Sequence, residues 1–568
     1  MTSSPSQAEA GGPLTPSTPG RRVEVPEALQ RGRADADPAR PRWHVTPPWG
    51  WLNDPNGLTV QPGPDGEPLV HLFYQHNSHA PVHDLIQWGH QYSADLVRWT
   101  DLPIALEPGP EGPDALGCWS GVIVDGPTDP TDPDGPTTPT MVYSGNMGGP
   151  TQVGCLAVPA VPPDEDPLLT RWVKDGANPV VDVAHVSVGQ DLPEMRDHSV
   201  WREDGRWYQV MGSGIPGAGA DGAQGGAALC FSSEDLRTWT YEGPLAVGDG
   251  DVNATGTVWE CPELSTVPGD GGTADVLCVS AWHDGDTMRS MWMTGVRTGT
   301  RMTVTAQGCS DLGENYFYAP QSVTLPDGRR VTIGWMQPNG TQEQRIAAGW
   351  AGSMNVPRTV TLAADGTLRF APIAEFETLR GDQVADLDGE AAAAVELRGR
   401  SLDVVLSGEL GGDPVVIDLL ASEDGSRRTR LMLSRRAPVG DAGQDAWTGW
   451  LSLDRTGSAE PGSPCEGEET RELSGPVPLG EDGGVELRIL LDRSSLEVFV
   501  NGQPLSARVG SDPADERVVG LFGGCPSGGR PRGPSRSAWL RRLVMPPMAC
   551  SPHHWAPGAP AAQAVCRP

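Results

Sequence analysis

One apolar strand pattern recurs five times in the first two thirds of this chain. The runs are six or seven residues long, and their centres are 70, 67, 69 and 54 residues apart. A second motif, S-x-D-L-x-x-W, occurs at 93–99 and again at 233–239, an offset of two repeats. The five runs are LVHLFYQ (69–75), TMVYSG (140–145), WYQVMG (207–212), VLCVSAW (276–282) and VTIGWM (331–336). A unit of this size has room for one four-stranded sheet, which cannot bury both faces alone, so five units predict a five-bladed β-propeller.

The repeat ends near residue 372, and a different strand pattern follows. Hairpin turns such as Asn501-Gly502 separate apolar runs there, which predicts a two-sheet β-sandwich. The runs lie at 402–406, 415–420, 430–433, 447–453, 485–491, 496–500, 518–522 and 539–544. We expect an all-β protein with a propeller at 41–372 and a sandwich at 373–548. The Ser/Pro/Ala-rich segments 1–40 and 549–568 are predicted to be disordered.

Charge and composition narrow the class of ligand. The chain has 74 acidic against 41 basic residues, a formal net charge of −33, which disfavours nucleic acid and anionic membranes and favours a neutral ligand. It has no 18-residue apolar run, so a membrane span is not expected. The first 30 residues have no apolar signal region, which predicts a cytoplasmic protein and leaves other routes of secretion open. The ten cysteines show no metal-ligand spacing, so no metal is expected, and disulfides stay open.

Three acidic motifs precede repeated runs. Asp54 lies in WLNDPNG (51–57), a sequence that predicts a tight turn. Asp197 follows Met195-Arg196, and Glu260 lies in WECPEL (259–264). Equivalent positions in units one, three and four converge on the propeller axis. Three uncompensated carboxylates repel each other strongly in a low-dielectric site, so their convergence predicts a functional site and not a structural one.

In this order the motifs resemble those of glycoside hydrolase family 32, the invertases, levanases, inulinases and fructosyl-transferring enzymes. Between about residues 43 and 545, further stretches match that family. They are Phe73-Tyr74-Gln75, Trp88-Gly89-His90, Cys118-Trp119-Ser120-Gly121, FYAPQ (317–321), AGSM (351–354) with Pro357-Arg358, and DRSSLEVFVNG (492–502). Two positions depart from the family pattern: Leu52 replaces the commoner methionine, and His198 replaces the usual proline.

The resemblance implies a role for each acid. Asp54 is expected to be the ionised nucleophile, and Glu260, beside Trp259, the acid/base. Asp197, held by Arg196, is expected to bind sugar hydroxyls in the transition state. No cofactor is implied.

The same motifs imply substrate-binding residues. Three tryptophans, Trp51, Trp88 and Trp119, are expected to stack on sugar faces. Three polar residues, Asn53, Gln75 and Ser120, are expected to bind hydroxyls, and Arg196 belongs to the same set. His198 has three interpretations: it hydrogen-bonds Asp197, it contacts an acceptor sugar, or it is a tolerated substitution that faces away from the site.

The predicted function is that of a retaining glycoside hydrolase. It would cleave β-fructofuranosyl linkages of sucrose or β-fructans through a covalent fructosyl-enzyme intermediate. One alternative is a fructosyltransferase with the same chemistry, for example a levan fructotransferase that forms a difructose anhydride. A non-catalytic sugar-binding propeller is a remote alternative, because it would not need all three acids. The sequence does not determine an oligomeric state.

Overall fold

The fold is an all-β propeller of five blades followed by a β-sandwich, as the sequence predicts. The computed structural model describes residues 23–129, 131–132, 134–186, 192–269, 272–385, 394–436, 448–459, 472–480, 483–521 and 542–544. Residues 1–22 of the predicted disordered segment 1–40, the whole of 549–568, and residues 447, 522 and 539–541 of the predicted strands lie outside these ranges. Within them, no helix is long and apolar enough to cross a membrane.

Each blade has four antiparallel strands in sequential order. Blade 1 contains β1 (Gly50–Pro62), β2 (Pro68–Asn77), β3 (Gln87–Ser93) and β4 (Thr100–Leu106). Blade 2 contains β5 (Cys118–Pro127), β6 (Thr137–Gly145), β7 (Val153–Pro159) and β8 (Trp172–Lys174). Blade 3 contains β9 (Met195–Glu203), β10 (Arg206–Ile215), β11 (Gly225–Ser233) and β12 (Trp239–Val247).

The last two blades complete the ring. Blade 4 contains β13 (Val258–Gly269), β14 (Gly272–His283), β15 (Asp286–Thr298) and β16 (Arg301–Cys309). Blade 5 contains β17 (Tyr318–Thr324), β18 (Arg330–Met336), β21 (Arg358–Leu362) and β22 (Leu368–Pro372), with the short strands β19 (Trp350–Ala351) and β20 (Ser353–Met354) between them. Since β19 pairs in parallel with β1, the end of the propeller is joined to its beginning.

The repeated apolar runs are the second strand of each blade. The second strand lies inside its sheet and is covered on both faces by neighbouring blades, so it reads as a continuous apolar run. In β2, for example, Leu72 and Phe73 point to opposite faces and both are fully buried. The first strands β1, β9 and β13 face the axis, and they carry the three acids themselves.

Every first strand contains one extra residue at the same place relative to the second strand. Between two paired positions the first strand has one residue more than its partner, which makes a β-bulge. The bulges lie at 53–54 in β1, 119–120 in β5, 197 in β9, 261–262 in β13 and 319–320 in β17. Residues 51–57 therefore form a bulged strand, and the predicted tight turn is wrong. Because a bulge re-aims side chains, the bulges of β1, β5 and β9 bring Asp54, Ser120 and Asp197 to the site.

The S-x-D-L-x-x-W motif is the connection between the third and fourth strands. Asp95 Oδ1 accepts from the backbone nitrogens of Val97 and Arg98 at 2.9 and 2.7 Å, and Trp99 Nε1 donates to Leu96 O. Asp235 and the residues after it repeat the arrangement two blades later. The motif is therefore a structural turn of blades 1 and 3.

Two six-stranded sheets form the sandwich. One sheet contains β23 (Gln383–Ala385), β25 (Ser401–Glu409), β30 (Gly484–Asp492), β31 (Ser495–Val500), β32 (Gln503–Arg508) and β34 (Arg542–Val544). The other contains β24 (Ala394–Arg398), β26 (Val415–Ala421), β27 (Thr429–Arg436), β28 (Thr448–Asp454), β29 (Leu473–Val477) and β33 (Arg517–Leu521). Asn501 and Gly502 join β31 to β32 with φ of 46° and 85°, the positive values that a tight two-residue hairpin requires.

A helix lies within the segment that the sequence predicted to be disordered. Helix α1 (Glu27–Ala36) buries Gln30, whose Nε2 donates to the carbonyls of Val25, Ser78 and His79. These bonds attach the helix to the β2–β3 loop. The low hydrophobicity of the sequence gave no sign of this attachment, because a polar side chain makes it. A second helix, α2 (Gln342–Ala348), lies between β18 and β19 and contacts α1.

A buried ionic network joins the propeller to the sandwich. Arg358, at the start of β21, donates to Asp311 Oδ2 at 2.8 Å and to Glu497 Oε2 of β31 at 2.5 Å. Glu497 also accepts from His44 Nε2, while His44 Nδ1 donates to Asp492. Burial alone would lower the pKa of His44, but its two carboxylate partners raise it above the ordinary value. The network fixes the orientation of the two domains.

Candidate active site

Asp54 lies in the bulge of β1, where side chains from blades 1 and 2 hold its carboxylate. Its Oδ2 accepts from Ser120 Oγ at 2.6 Å and from Gln75 Nε2 at 3.0 Å. Burial, and to a lesser degree the charge of Glu260, raises the pKa of Asp54 to about 6, against the hydrogen bonds from Ser120 and Asn53. The carboxylate is ionised near neutral pH and fixed by donors, as a nucleophile requires.

Glu260, on β13, accepts hydrogen bonds from two other elements. Arg196 Nε donates to its Oε1 at 2.9 Å, and the Tyr318 hydroxyl of β17 donates to its Oε2 at 2.6 Å. Arg196 Nη1 also pairs with Glu194. The expectation that Arg196 holds Asp197 is therefore wrong, because its guanidinium hydrogen-bonds Glu260. Trp259 lies in the core between blades 3 and 4 and donates to Thr255 O, so it is not part of the pocket.

Asp197 is the extra residue of the β9 bulge and has a left-handed backbone, with φ of 60°. Its Oδ2 accepts from the backbone nitrogen of Cys261 at 2.9 Å, and its own nitrogen donates to Ser144 Oγ at 2.8 Å. Burial, followed by the charge of Glu260, raises the pKa of Asp197, against the charge of Arg196. A buried carboxyl between two others is suited to hydrogen-bonding sugar hydroxyls.

The thiol of Cys261 links the two aspartates. Its Sγ lies 3.6 Å from Asp54 Oδ2 and 3.4 Å from Asp197 Oδ2. Burial, with the neighbouring carboxylates, raises the pKa of the thiol well above its ordinary value. Cys261 is therefore a protonated, weak donor between two acids that would otherwise repel each other.

Aromatic rings form a wall beside the carboxylates. Trp51 Nε1 donates to Asn53 Oδ1 at 2.7 Å, and its ring lies edge-on to Trp335 and His83, with centroids 5.9 and 6.0 Å away. The ring of the half-buried Trp119 lies 6.0 Å from His83 on the other side. Trp119 is half-buried, whereas Trp51 is 3% exposed, so the stacking of either ring on a sugar stays a prediction.

Trp88 has no access to the pocket. Its side chain is 0% exposed, packs between blades 1 and 2 against Phe73 and Tyr143, and donates to Trp119 O. The predicted stacking of Trp88 on a sugar is therefore wrong. It supports the pocket from behind, through the backbone of Trp119.

His198 faces away from the pocket. Its ring is 3% exposed and shares a 2.9 Å hydrogen bond with Gln209 of β10, and its edge packs near Gly154. Burial lowers the pKa of His198 to about 4, so the ring is neutral. The ring makes no hydrogen bond to Asp197 and does not reach the opening of the pocket. The assignment of His198 to substrate binding is therefore wrong. Asp197 and His198 are successive residues of β9, and successive side chains of a strand point to opposite faces.

Four residues of the site were missed or given no role by sequence reasoning. Tyr318 lies in the FYAPQ stretch and Cys261 follows Glu260, so both had a signal in the motifs themselves. Glu194 lies two residues before Arg196, the spacing that puts two strand side chains on one face. His83 lies in the β2–β3 loop, and no sequence pattern marks it.

Metal and disulfide chemistry play no visible part in the described chain. In those residues, no group of three or more His, Cys, Asp or Glu side chains is arranged to hold a metal ion. The cysteines described there are free thiols: Cys118, Cys155, Cys230, Cys261, Cys278 and Cys309.

Comparisons with known proteins agree with this architecture. The sequence profile described as "Glycosyl hydrolases family 32 N-terminal domain" matches residues 44–372, and "Glycosyl hydrolases family 32 C terminal" matches residues 375–518. Among solved structures, fructan 1-exohydrolase IIa from Cichorium intybus superimposes with a TM-score of 0.72 at 22% identity, over 90% of this chain and 98% of that one. Sucrose-6-phosphate hydrolase from Lactobacillus gasseri does so with a TM-score of 0.69 at 21% identity, over 92% and 96%.

Sequence relatives cover most of the chain. A sucrose-6-phosphate hydrolase of Klebsiella pneumoniae is 32% identical over 506 residues, 85% of this chain and 91% of the relative. A fructan 6-exohydrolase of Beta vulgaris is 32% identical over 376 residues, 62% of this chain and 57% of the relative. With both family profiles matched in order along the propeller and the sandwich, the protein is an enzyme that belongs to glycoside hydrolase family 32.

Proposed function

We propose that the protein is a retaining β-fructofuranosidase that hydrolyses sucrose and β-fructans. The observation that carries the proposal is the meeting of Asp54 and Glu260, from blades 1 and 4, in one hydrogen-bonded pocket with Asp197. Asp54 and Glu260 accept hydrogen bonds from different residues, so their environments differ. Two carboxylates in different environments can take two different roles in catalysis.

Asp54 is the proposed nucleophile. Its carboxylate attacks the anomeric carbon of the fructosyl unit as the bond to the leaving-group oxygen breaks, which gives a covalent fructosyl ester. Ser120 and Gln75 orient the attacking carboxylate. Both donors bind Oδ2, and the thiol of Cys261 lies beside the same oxygen.

Glu260 is the proposed acid/base. It donates a proton to the leaving-group oxygen in the first step, and then takes one from the water that cleaves the ester. Arg196 and Tyr318 fix its position, one at each carboxyl oxygen. Asp197 is proposed to bind fructosyl hydroxyls and so stabilise the oxocarbenium-like transition state.

The substrate class is supported by the relatives and by solved complexes. Fructan 1-exohydrolase IIa was solved with 1-kestose, and a Bombyx mori β-fructofuranosidase of this family was solved with sucrose. Both ligands are small neutral sugars with a β-fructofuranosyl unit at one end. The half-buried ring of Trp119 offers an apolar face for such a unit.

The test is product analysis with sucrose, inulin and levan supplied separately to the purified protein and to Asp54→Asn. The proposal expects release of fructose from at least one of them, and a loss of several orders of magnitude in the folded variant. Variant activity within tenfold of the wild type would refute Asp54 as the nucleophile. Absence of fructose release from all three substrates would refute the function.

A further inference from the structure

Two large apolar side chains are exposed beside each other at the catalytic end of blade 2. Leu116 is 46% exposed and Met147 is 56% exposed. Leu116 lies in the loop that enters β5, and Met147 lies in the loop that joins β6 to β7. The backbone nitrogen of Leu116 donates to Asn146 O at 3.0 Å, which joins the two loops. A side chain placed on Gly148 would meet Leu116 Cδ1 at 3.1 Å, so Leu116 lies against the turn that carries Met147.

Both side chains lie close to residues of the site. Leu116 is three residues before Trp119, the half-buried ring of the aromatic wall. Met147 is three residues after Ser144, whose Oγ accepts from the backbone nitrogen of Asp197. Because three residues span at most about 11 Å, this pair of side chains and the pocket are neighbours. We call Leu116 and Met147 the blade 2 rim.

We propose that the blade 2 rim binds the second and later sugar units in the leaving group of a β-fructan chain, an inference that rests on the proposed function. Glu260 protonates the leaving-group oxygen, so the leaving group of a bound chain extends from the carboxylates toward the mouth of the pocket. The leaving group of sucrose is a single glucose unit, whereas that of a fructan has two units or more. The rim continues the apolar surface of Trp119 outward, and sugar rings can place their C–H faces on such a surface.

The size of the rim fits a sugar unit better than a protein partner. A stable protein interface buries about 800 Å² on each partner. Even a large aromatic side chain buries only about 150–250 Å², and the two side chains of the rim are already partly covered. The rim therefore offers far less apolar area than such an interface needs, but enough for contact with one or two sugar rings.

The direct test measures kcat/KM against chain length with the full-length protein. Sucrose is compared with two series of longer substrates, the inulin-type oligomers from 1-kestose upward and the levan-type oligomers. For the wild type, we expect kcat/KM to increase with chain length in at least one series, because only the longer leaving groups reach the rim.

A double substitution assigns this increase to the rim. Leu116→Gln with Met147→Gln keeps side chains of similar size at two exposed positions, so the fold should not be disturbed. It makes the rim polar, and kcat/KM for the longer chains should fall about tenfold through a higher KM, with sucrose changed by less than about twofold.

Two exposed valines on blade 4 provide the matched control. Val296 and Val304 are 64% and 37% exposed and lie on β15 and β16. They are near the hairpin between these strands, at the end of the propeller opposite the pocket. Val296→Gln with Val304→Gln should change neither kcat/KM for sucrose nor its dependence on chain length.

Three results would overturn the inference. They are a wild-type kcat/KM that does not increase with chain length in either series, equal effects of the two double variants, and equal losses on sucrose and on the longer chains. Sedimentation tests a second copy of this chain as the occupant: a change from dimer to monomer in the rim variant, with an unchanged dependence on chain length, would also overturn it. In all these cases cleavage of sucrose or fructan would leave the proposed function standing, whereas no cleavage of any substrate would remove the function itself.

Discussion

Arg196 bonds the carboxylate of Glu260, 64 residues away, and not that of its neighbour Asp197. The bulge of β9 separates the two side chains, so that Arg196 reaches blade 4 while Asp197 accepts from the backbone of Cys261. One local irregularity therefore supplies two different groups to the pocket. The equivalent bulge of β1 supplies Asp54, whereas Glu260 pairs with Ser280 just before the bulge of β13.

The hydrogen bond from Ser120 should set the acidic limb of the pH profile. The pKa of Asp54 is about 6, so a nucleophilic Asp54 is lost by protonation as the pH falls below that value. Ser120→Ala removes a donor that lowers this pKa, and should move the acidic limb of kcat/KM to higher pH by roughly one unit. The pH–rate profiles of the two proteins on sucrose measure this, and coincident acidic limbs would contradict the assignment.

The rate lost when Glu260 is replaced should be larger for a leaving group that needs protonation. Glu260→Gln should reduce kcat on sucrose by about two to four orders of magnitude, because proton donation is lost. An aryl fructoside whose leaving group departs unprotonated should be affected much less in the first step. Burst kinetics on both substrates separate the two steps, and equal losses in that step would show that Glu260 is not the acid.

His198 should affect stability and not specificity. The folded-state pKa of about 4 lies below the ordinary 6.5, so the neutral ring stabilises the fold fully above pH 6.5, and this stabilisation is lost as the pH falls toward 4. The contribution of this ring to the free energy of unfolding differs by up to about 3 kcal/mol between these two pH limits. The difference in unfolding free energy between wild type and His198→Gln should therefore shrink from pH 7.5 to pH 5. A changed product ratio among sucrose, inulin and levan would place the ring in the pocket after all.

The buried network between the domains should be costly to break. Arg358 is 0% exposed, and Arg358→Gln leaves Asp311 without its charged partner and Glu497 with His44 alone, a loss of about 3–5 kcal/mol in unfolding free energy. Denaturant unfolding measures it. Arg398→Gln, which breaks the exposed pair with Glu423, is the control and should have no measurable effect. Similar unfolding curves for both variants would contradict the role given to the network.

Sequence reasoning identified the blade number and the three acids because both depend on patterns that survive in the chain. Apolar runs at a fixed period report second strands, which are buried on both faces. Each acid lies in the first strand of its blade, 10 to 16 residues before the start of the apolar run. The same reasoning misread residues 51–57, because a bulged strand and a tight turn use the same Asn, Asp and Gly residues.

Side-chain direction was the part that the sequence could not supply. Trp88 and Trp119 both lie in family-like motifs, yet Trp88 is enclosed between blades and Trp119 reaches the pocket. Likewise, the chain position of Arg196 beside Asp197 suggested a pair that the bulge in fact separates. Such choices depend on the register and on the neighbouring blade, which a single chain of letters does not specify.

Stereochemistry tests the central claim most directly, because only a covalent intermediate on Asp54 gives two inversions. Incubation of sucrose in the presence of methanol traps the transferred fructosyl group as a methyl fructofuranoside that cannot mutarotate. NMR of that product then reports the configuration set by the enzyme. A retaining mechanism predicts methyl β-fructofuranoside alone. Formation of the α-anomer would mean a single displacement and would contradict Asp54 as the nucleophile.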